Sequence, residues 1–330
     1  MPETSMTRAA TGLPFDDIRN LLAGLPQADE RAGSEAAART AALAAPSGSL
    51  GRLAEIAEWM AAWQALPKPA VTRPLIAIFA ATHDLAKHAP DAAPDGATHK
   101  LVELYAAGGG AVNQIALQAD AGLKVFDLAL DIPTPDIRED AALSEAACAA
   151  TMAFGMEAIA GGADLLCVGA AGAGNRMVAA ALACALLGGN PEDWADGWGR
   201  EAVAAALAQH EGHLADPLEA LRRVGGREFA AIAGAILAAR YQRIPVLLDG
   251  FVACAAASVL HRMAPSALDH CMAAHTSGDP AHERLLTALG KAPLLNTGIA
   301  LEEGAGAALA IGLVKSAIAT HRGMATRDML

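Results

Sequence analysis

The sequence predicts an α/β fold: a doubly wound, mainly parallel sheet with helices on both faces and a small helical lobe. Three observations carry this. Short, continuous apolar runs occur at 75–79, 124–130, 164–168, 245–248 and 271–274, and an unbroken run, unlike an alternating one, marks a strand covered on both faces. Longer stretches with helical spacing lie between them, at 100–121, 144–159, 177–187, 228–241 and 251–263, which is the alternation of βαβ units. Hydrophobic residues make up 54% of the chain and charged residues 18%, a composition that suits helices packed closely on a sheet and argues against disorder.

Taken in order, residues 1–15 read as a flexible leader. Its first eight residues lack a basic region followed by an apolar block, so no signal peptide is visible and a cytoplasmic location is expected. Residues 16–65 read as helices, interrupted at Pro46-Ser47-Gly48-Ser49-Leu50-Gly51, where Ser49 is the candidate cap for the helix carrying Leu53, Ile56, Ala57 and Met60. A helical small-lobe segment at 16–70 is thus expected to precede a Rossmann-like α/β domain at 71–320 that holds the active-site cleft. The C-terminal helices contribute to the lobe, and the tail 321–330 is expected to fray. The longest apolar runs, 229–239, 251–260 and 305–314, fall short of the roughly 18 residues of a membrane span. They read as core helices, and no membrane partner is expected.

A formal charge of −12 with no basic stripe repels phosphate backbones, so nucleic acid is not an expected partner. The five cysteines stand singly in apolar segments, as reduced core residues do. His210 and His213 lie one helical turn apart, but no further ligand stands at metal spacing. They read as a solvated helix end, and no metal site is expected.

Ligands of such sheets bind beyond the carboxyl ends of the strands. The exits that matter are therefore Thr82-His83-Asp84, Gly169 to Asn175, Asp249-Gly250-Phe251 and His275 to Asp279. The loop Gly169 to Asn175 opens a helix, so its free N–H groups could cradle a phosphate. It lacks the downstream ribose-binding acid of a dinucleotide site and the Gly-Lys-Ser/Thr ending of a P-loop. No cofactor is expected. Asp249 reads either as a site residue or as a cap for the helix starting near Phe251. Near the C-terminus, Glu302 and Glu303 approach the apolar helix 305–318. Either both are hydrated there or one faces a cleft, since burying an unpaired carboxylate costs several kcal/mol, on the order of the ion-burial penalty.

Taken together, these segments resemble the nicotinate-nucleotide:dimethylbenzimidazole phosphoribosyltransferase family over roughly residues 44–320. The resemblance rests on Pro46-Ser47-Gly48-Ser49-Leu50-Gly51-Arg52-Leu53, on Ala106 to Gln114 and on Gly225-Gly226-Arg227-Glu228 leading to Ala233-Gly234-Ala235. Ile244 to Phe251 and Glu303-Gly304-Ala305-Gly306-Ala307-Ala308-Leu309 complete it. It implies a homodimer acting on small molecules, an aromatic azole and a ribonucleotide donor. Glu303 matches the family's general base, with Leu301 and Leu309 expected as its apolar surroundings; Glu302 stands where the family usually has glycine. On the substrate side the resemblance implicates His83, Lys100, Gly172, Gly174, Asn175, Arg176, Asp249, Gly250 and Phe251.

The chain also departs from the family pattern. Gly169-Ala170-Ala171-Gly172-Ala173-Gly174-Asn175-Arg176-Met177 keeps the glycines and the asparagine but has lost an acid and two hydroxyls. The glycine-threonine phosphate loop and the lysine after it are missing from 194–202. A weak hold on the donor phosphate is expected, with Arg176 as the one replacement cation. Beside the transferase stand two rivals: a member using another azole or donor, and a silent paralogue that binds a benzimidazole-like ligand or an active subunit.

Overall fold

The computed structural model describes residues 13–330. Five strands, β1 (Pro74–Ala80), β2 (Gly122–Asp127), β3 (Leu165–Ala171), β4 (Val246–Leu248) and β5 (Cys271–Ala273), pair in parallel in the order β2-β1-β3-β4-β5. Two short strands, β6 (His275–Thr276) and β7 (Leu295–Asn296), form a separate parallel pair. Helices α1 (Pro14–Ala23), α2 (Glu30–Ala42) and α3 (Arg52–Gln64) precede β1; α4 (Ala97–Ala106) and α5 (Ala111–Gln118) follow it; α6 (Glu145–Ala158) precedes β3. Between β3 and β4 run α7 (Asn175–Leu187), α8 (Gly197–Gln209), α9 (Pro217–Val224) and α10 (Arg227–Tyr241). The chain continues through α11 (Gly250–Met263) and α12 (Pro280–Ala288) and into the long α13 (Ala305–Gly323).

Period-two alternation along the central strands divides the apolar residues between two cores. Leu75, Ala77 and Phe79 of β1 join Val178, Phe229, Ile232 and Phe251 on one face. Ile76, Ile78 and Ala80 join Ile56, Met60, Val112 and Ile311 on the other. The α6–α10 contact is especially close: a Cβ at Gly155 would lie 1.9 Å from the Ala231 carbonyl oxygen, and one at Gly234 would lie 2.0 Å from that of Met152. All five cysteines are buried and free.

Several expectations are corrected. The strand expected at 124–130 is 122–127 and lies at the sheet edge, where Gly122, Lys124 and Asp127 stay exposed because only one neighbour covers it. The helix expected at 100–121 is two helices. Asn113 holds the break, accepting from Gly110 N–H and donating to the Tyr105 carbonyl, each at 2.9 Å. Ser49 does not cap α3, whose first turn begins at Gly51; its hydroxyl donates to the Pro46 carbonyl.

The expected leader lies outside the described residues except at its end, where Pro14 opens α1 and Phe15 is buried. The segment 16–70 shares the sheet's cores: α1 supplies Phe15, Ile18 and Leu22 to one, and α3 supplies Ile56 and Met60 to the other. The first part of the tail expected to fray is tied down, because His321 Nε2 donates to the Ala36 carbonyl, Ala44 N–H donates to the Ala325 carbonyl, and Leu43 bridges Thr326, while Met329 and Leu330 stay exposed. His210, read as solvated, is buried with Nε2 at 2.9 Å from the Ile137 carbonyl. No helix among the described residues is long and apolar enough to cross a membrane.

Candidate active site

Because β1 lies between β2 and β3, the chains leaving β1 and β3 diverge and open a crevice at their carboxyl ends. His83 enters from the β1 exit and is fixed at both ring nitrogens: Nε2 lies 2.6 Å from Glu228 Oε1 and Nδ1 lies 2.7 Å from Thr134 Oγ1. The His83 ring forms a wall of a cavity of about 250 Å³ shared with Thr82, Thr98, Leu130 and Ala173. Its two anchors, Glu228 and Thr134, are buried as well, and Glu228 Oε2 has no partner among the described residues.

From the β3 exit, Gly172 leads through Gly174 to Asn175, the buried first residue of α7. Thr98 Oγ1 accepts the Ala173 N–H at 3.2 Å and ties this loop to α4. Gly174 and Arg176 line a second cavity, of about 440 Å³, with Trp194, Asp196, Gly197 and Gly199. The first turns of α7 and α8 therefore meet at one cavity, where unpaired N–H groups and helix dipoles favour an anion. Arg176 is the cation there. Its guanidinium pairs with Asp279 and lies 5.4 Å from the centre of the Phe251 ring.

At the β4 exit the alternatives for Asp249 resolve in an unexpected way. Its carboxylate is fully buried and caps α13 rather than its own helix: Oδ2 accepts Gly304 N–H and Oδ1 accepts Ala307 N–H, each at 2.7 Å, with His275 Nε2 3.2 Å from Oδ1. This hydrogen bond and the Asp249 charge hold the His275 pKa above its ordinary value although burial opposes them. Asp249 thus has no oxygen facing a ligand; it pins the loop that carries Glu302 and Glu303. Phe251 is also fully buried and meets the site only through Arg176.

The two acids turn opposite ways. Glu303 is half-buried, and its Oε2 accepts the Tyr105 hydroxyl at 2.6 Å. Burial and the Glu303 charge push the Tyr105 pKa far up, so the phenol stays a donor. Leu301 and Leu309 do not enclose Glu303 as expected; both are exposed, Leu301 on the loop before α13 and Leu309 on the outer side of that helix. Glu302 faces α11 instead, and its Oε2 accepts Val252 N–H at 3.0 Å. Removal from water pushes its carboxyl up to about 7, against the pull of the Val252 N–H. The β3 exit, which lacks an acid of its own at Ala170, donates the Ala170 N–H to the Glu302 carbonyl at 2.7 Å.

The structure therefore gathers His83, Gly172, Gly174, Asn175, Arg176, Gly250 and Glu303 at neighbouring strand exits. Lys100 lies on the exposed side of α4, and Glu303 borders neither of the two cavities. Sequence reasoning missed Tyr105, Thr98, Thr134, the pairing of His275 with Asp249 and the role of Glu228. Tyr105 carried a signal, as one of two tyrosines in the chain; the others are ordinary polar residues until the fold pairs them. Among the described residues, no group of three or more His, Cys, Asp or Glu side chains is gathered as a metal would require.

Known proteins resemble this chain in sequence and in fold. A phosphoribosyltransferase family model matches residues 25–329. The nicotinate-nucleotide–dimethylbenzimidazole phosphoribosyltransferase of Rhizobium etli (strain CIAT 652) is 57% identical over 328 residues, covering 96% of this chain and 97% of that protein. The enzyme of the same name from Agrobacterium fabrum is 58% identical over 326 residues, covering 96% and 94%. A crystal structure of the enzyme from Thermus thermophilus superposes with a TM-score of 0.85 at 36% identity, covering 91% of this chain and 98% of that one. A family model, near relatives over almost the whole length and a shared fold lead to one conclusion: the chain belongs to the nicotinate-nucleotide–dimethylbenzimidazole phosphoribosyltransferase family.

Proposed function

We propose that this protein transfers the phosphoribosyl group of nicotinate mononucleotide to 5,6-dimethylbenzimidazole, giving α-ribazole phosphate and nicotinate for cobalamin biosynthesis. The observation that carries the residue assignment is Glu303: a carboxylate oriented by the Tyr105 hydroxyl, on a loop that Asp249 pins at the β4 exit. One azole nitrogen attacks the anomeric carbon, the bond to nicotinate breaks with its electron pair going to the pyridine nitrogen, and Glu303 takes the proton from the other azole nitrogen. The leaving ring is cationic beforehand, so its departure neutralises it without further activation. A positioned base contributes about 10²–10⁴ in rate.

The donor phosphate fits the cavity where α7 and α8 begin, with Arg176 at its rim. Helix N–H groups stand in for the side chains missing from the expected phosphate loop. We also infer a cytoplasmic homodimer, supported by the exposed Leu117 and Leu309 on the adjoining helices α5 and α13. Sedimentation at twice the 33.4 kDa chain mass would bear this out, and a monomer at micromolar concentration would refute it.

The deciding assay incubates the protein with nicotinate mononucleotide and dimethylbenzimidazole and measures nicotinate. Release that requires both substrates is the expected result. Absence of release, with either substrate shown to bind, would overturn the transferase reading in favour of a silent relative.

A further inference from the structure

Glu302 has no part in the reaction as assigned and, like Glu303, borders neither of the two cavities, yet its carboxyl and its loop are held firmly. The loop bearing it is fixed by the Ala170 N–H at its carbonyl. Oε2 is anchored at the first turn of α11 by Val252 N–H, and α11 comes so close that a Cβ on Gly250, at φ +63°, would lie 2.2 Å from this oxygen. Oε1 accepts no hydrogen bond among the described residues and is not sealed from open space. One oxygen is therefore held and the other is offered.

The direction of the offer distinguishes the two acids. Glu303 turns toward Tyr105 on α4, whereas Glu302 turns toward the start of α11, where Phe251 backs Arg176, the cation of the proposed phosphate cavity. Two neighbouring acids thus serve opposite sides of one strand exit. Resting on the transferase reading above, we propose that Glu302 is the donor-side carboxyl: Oε1 accepts a ribose hydroxyl of the nucleotide and faces the positive charge that grows on the anomeric carbon as nicotinate leaves. Glu302 itself gains and loses no bond.

The groups that face this carboxyl set its titration. Removal from water raises it to about 7, Val252 N–H lowers it, Asp249 raises it, and Arg176 and His275 lower it. Donor use should accordingly rise with pH through this region as the carboxylate forms.

Glu302→Gln tests the assignment, because the amide fits the same space and still accepts the Val252 N–H. Steady-state kinetics with each substrate varied, across pH 5.5–8.5, should show kcat/KM for nicotinate mononucleotide reduced about 10–100-fold, as expected for loss of one charged hydrogen bond. The KM for the azole should stay within about twofold, and the rising limb near neutrality should vanish from the donor profile. A donor KM and pH limb like those of the wild type would overturn the proposal, as would equal losses for both substrates. Calorimetry with nicotinate mononucleotide separates this from failure of the transferase reading. A wild-type protein that releases no nicotinate would refute turnover, while at least tenfold weaker nucleotide binding by Glu302→Gln than by wild type would still uphold Glu302. Equal affinities, or no binding to either, would end the proposal.

Discussion

Glu302 and Glu303 are adjacent in sequence and chemically unlike in the fold. Glu303 keeps a phenol donor on one oxygen, so Glu303→Gln should preserve its shape while losing the proton acceptor. We expect kcat to fall about 10²–10⁴-fold with azole affinity nearly unchanged. A variant as active as the wild type in nicotinate release would remove Glu303 from the base role. Glu302 makes a separate prediction about stability. Its folded pKa of about 7 lies above the ordinary value of 4.5, so its favourable contribution is complete below the unfolded value and is lost as pH rises through the folded one. Glu302→Gln should therefore gain stability relative to wild type between pH 4.5 and 7, by about 1–3 kcal/mol in total. Urea unfolding at pH 5 and pH 8 reads this directly, and a difference that does not grow with pH would contradict the assignment. The sequence exposed both acids through their glycine-rich motif. It could not show which carboxyl meets Tyr105 and which meets Val252, because both partners lie far along the chain.

At the scale of elements, the site depends on α13 beginning where it does. Asp249 supplies two hydrogen bonds to the first N–H groups of that helix and pairs with buried His275. Replacing it by alanine leaves those groups and the imidazole unpaired in a dry interior. We expect a loss of about 3–5 kcal/mol in unfolding free energy, with Asp249→Asn retaining part of it. A thermal melt close to that of the wild type for Asp249→Ala would show that the clamp is dispensable. The α6–α10 crossing carries a simpler test. Gly155→Ala puts a methyl into the Ala231 backbone, and the helices must separate at a cost of about 1–3 kcal/mol. Calorimetric unfolding without a shift would mean that the contact is looser than described. The existence of these helices was legible from their spacing. Their closeness was not, since a glycine in a helix is ambiguous until the facing backbone is known.

For the molecule as a whole, the arrangement of strands decides where chemistry can occur. The order β2-β1-β3-β4-β5 opens the crevice between the exits of β1 and β3, and Arg176 is its one cation beside the cavity shared by α7 and α8 among the described residues. Arg176→Ala should weaken nicotinate mononucleotide binding about 10-fold, the loss of one charge-assisted contact, while leaving azole binding unchanged. Calorimetry showing unchanged nucleotide affinity would move the phosphate elsewhere.

By itself the sequence determined the five sheet strands, the helices α6, α7, α10, α11 and α13 and the family, and it brought Glu303 forward as the candidate base, because apolar periodicity and short motifs are local properties of the chain; α8, α9 and α12 went unread. Only the tertiary structure decided that Asp249 caps a distant helix, that Tyr105 orients Glu303, that α8 lends its N-terminus to the cavity and that Glu302 is drawn in beside α11. Each of these depends on strand order and helix approach. Tyr105 and Glu303, 198 positions apart, then share one hydrogen bond, and no local pattern specifies such a pairing before the sheet is assembled.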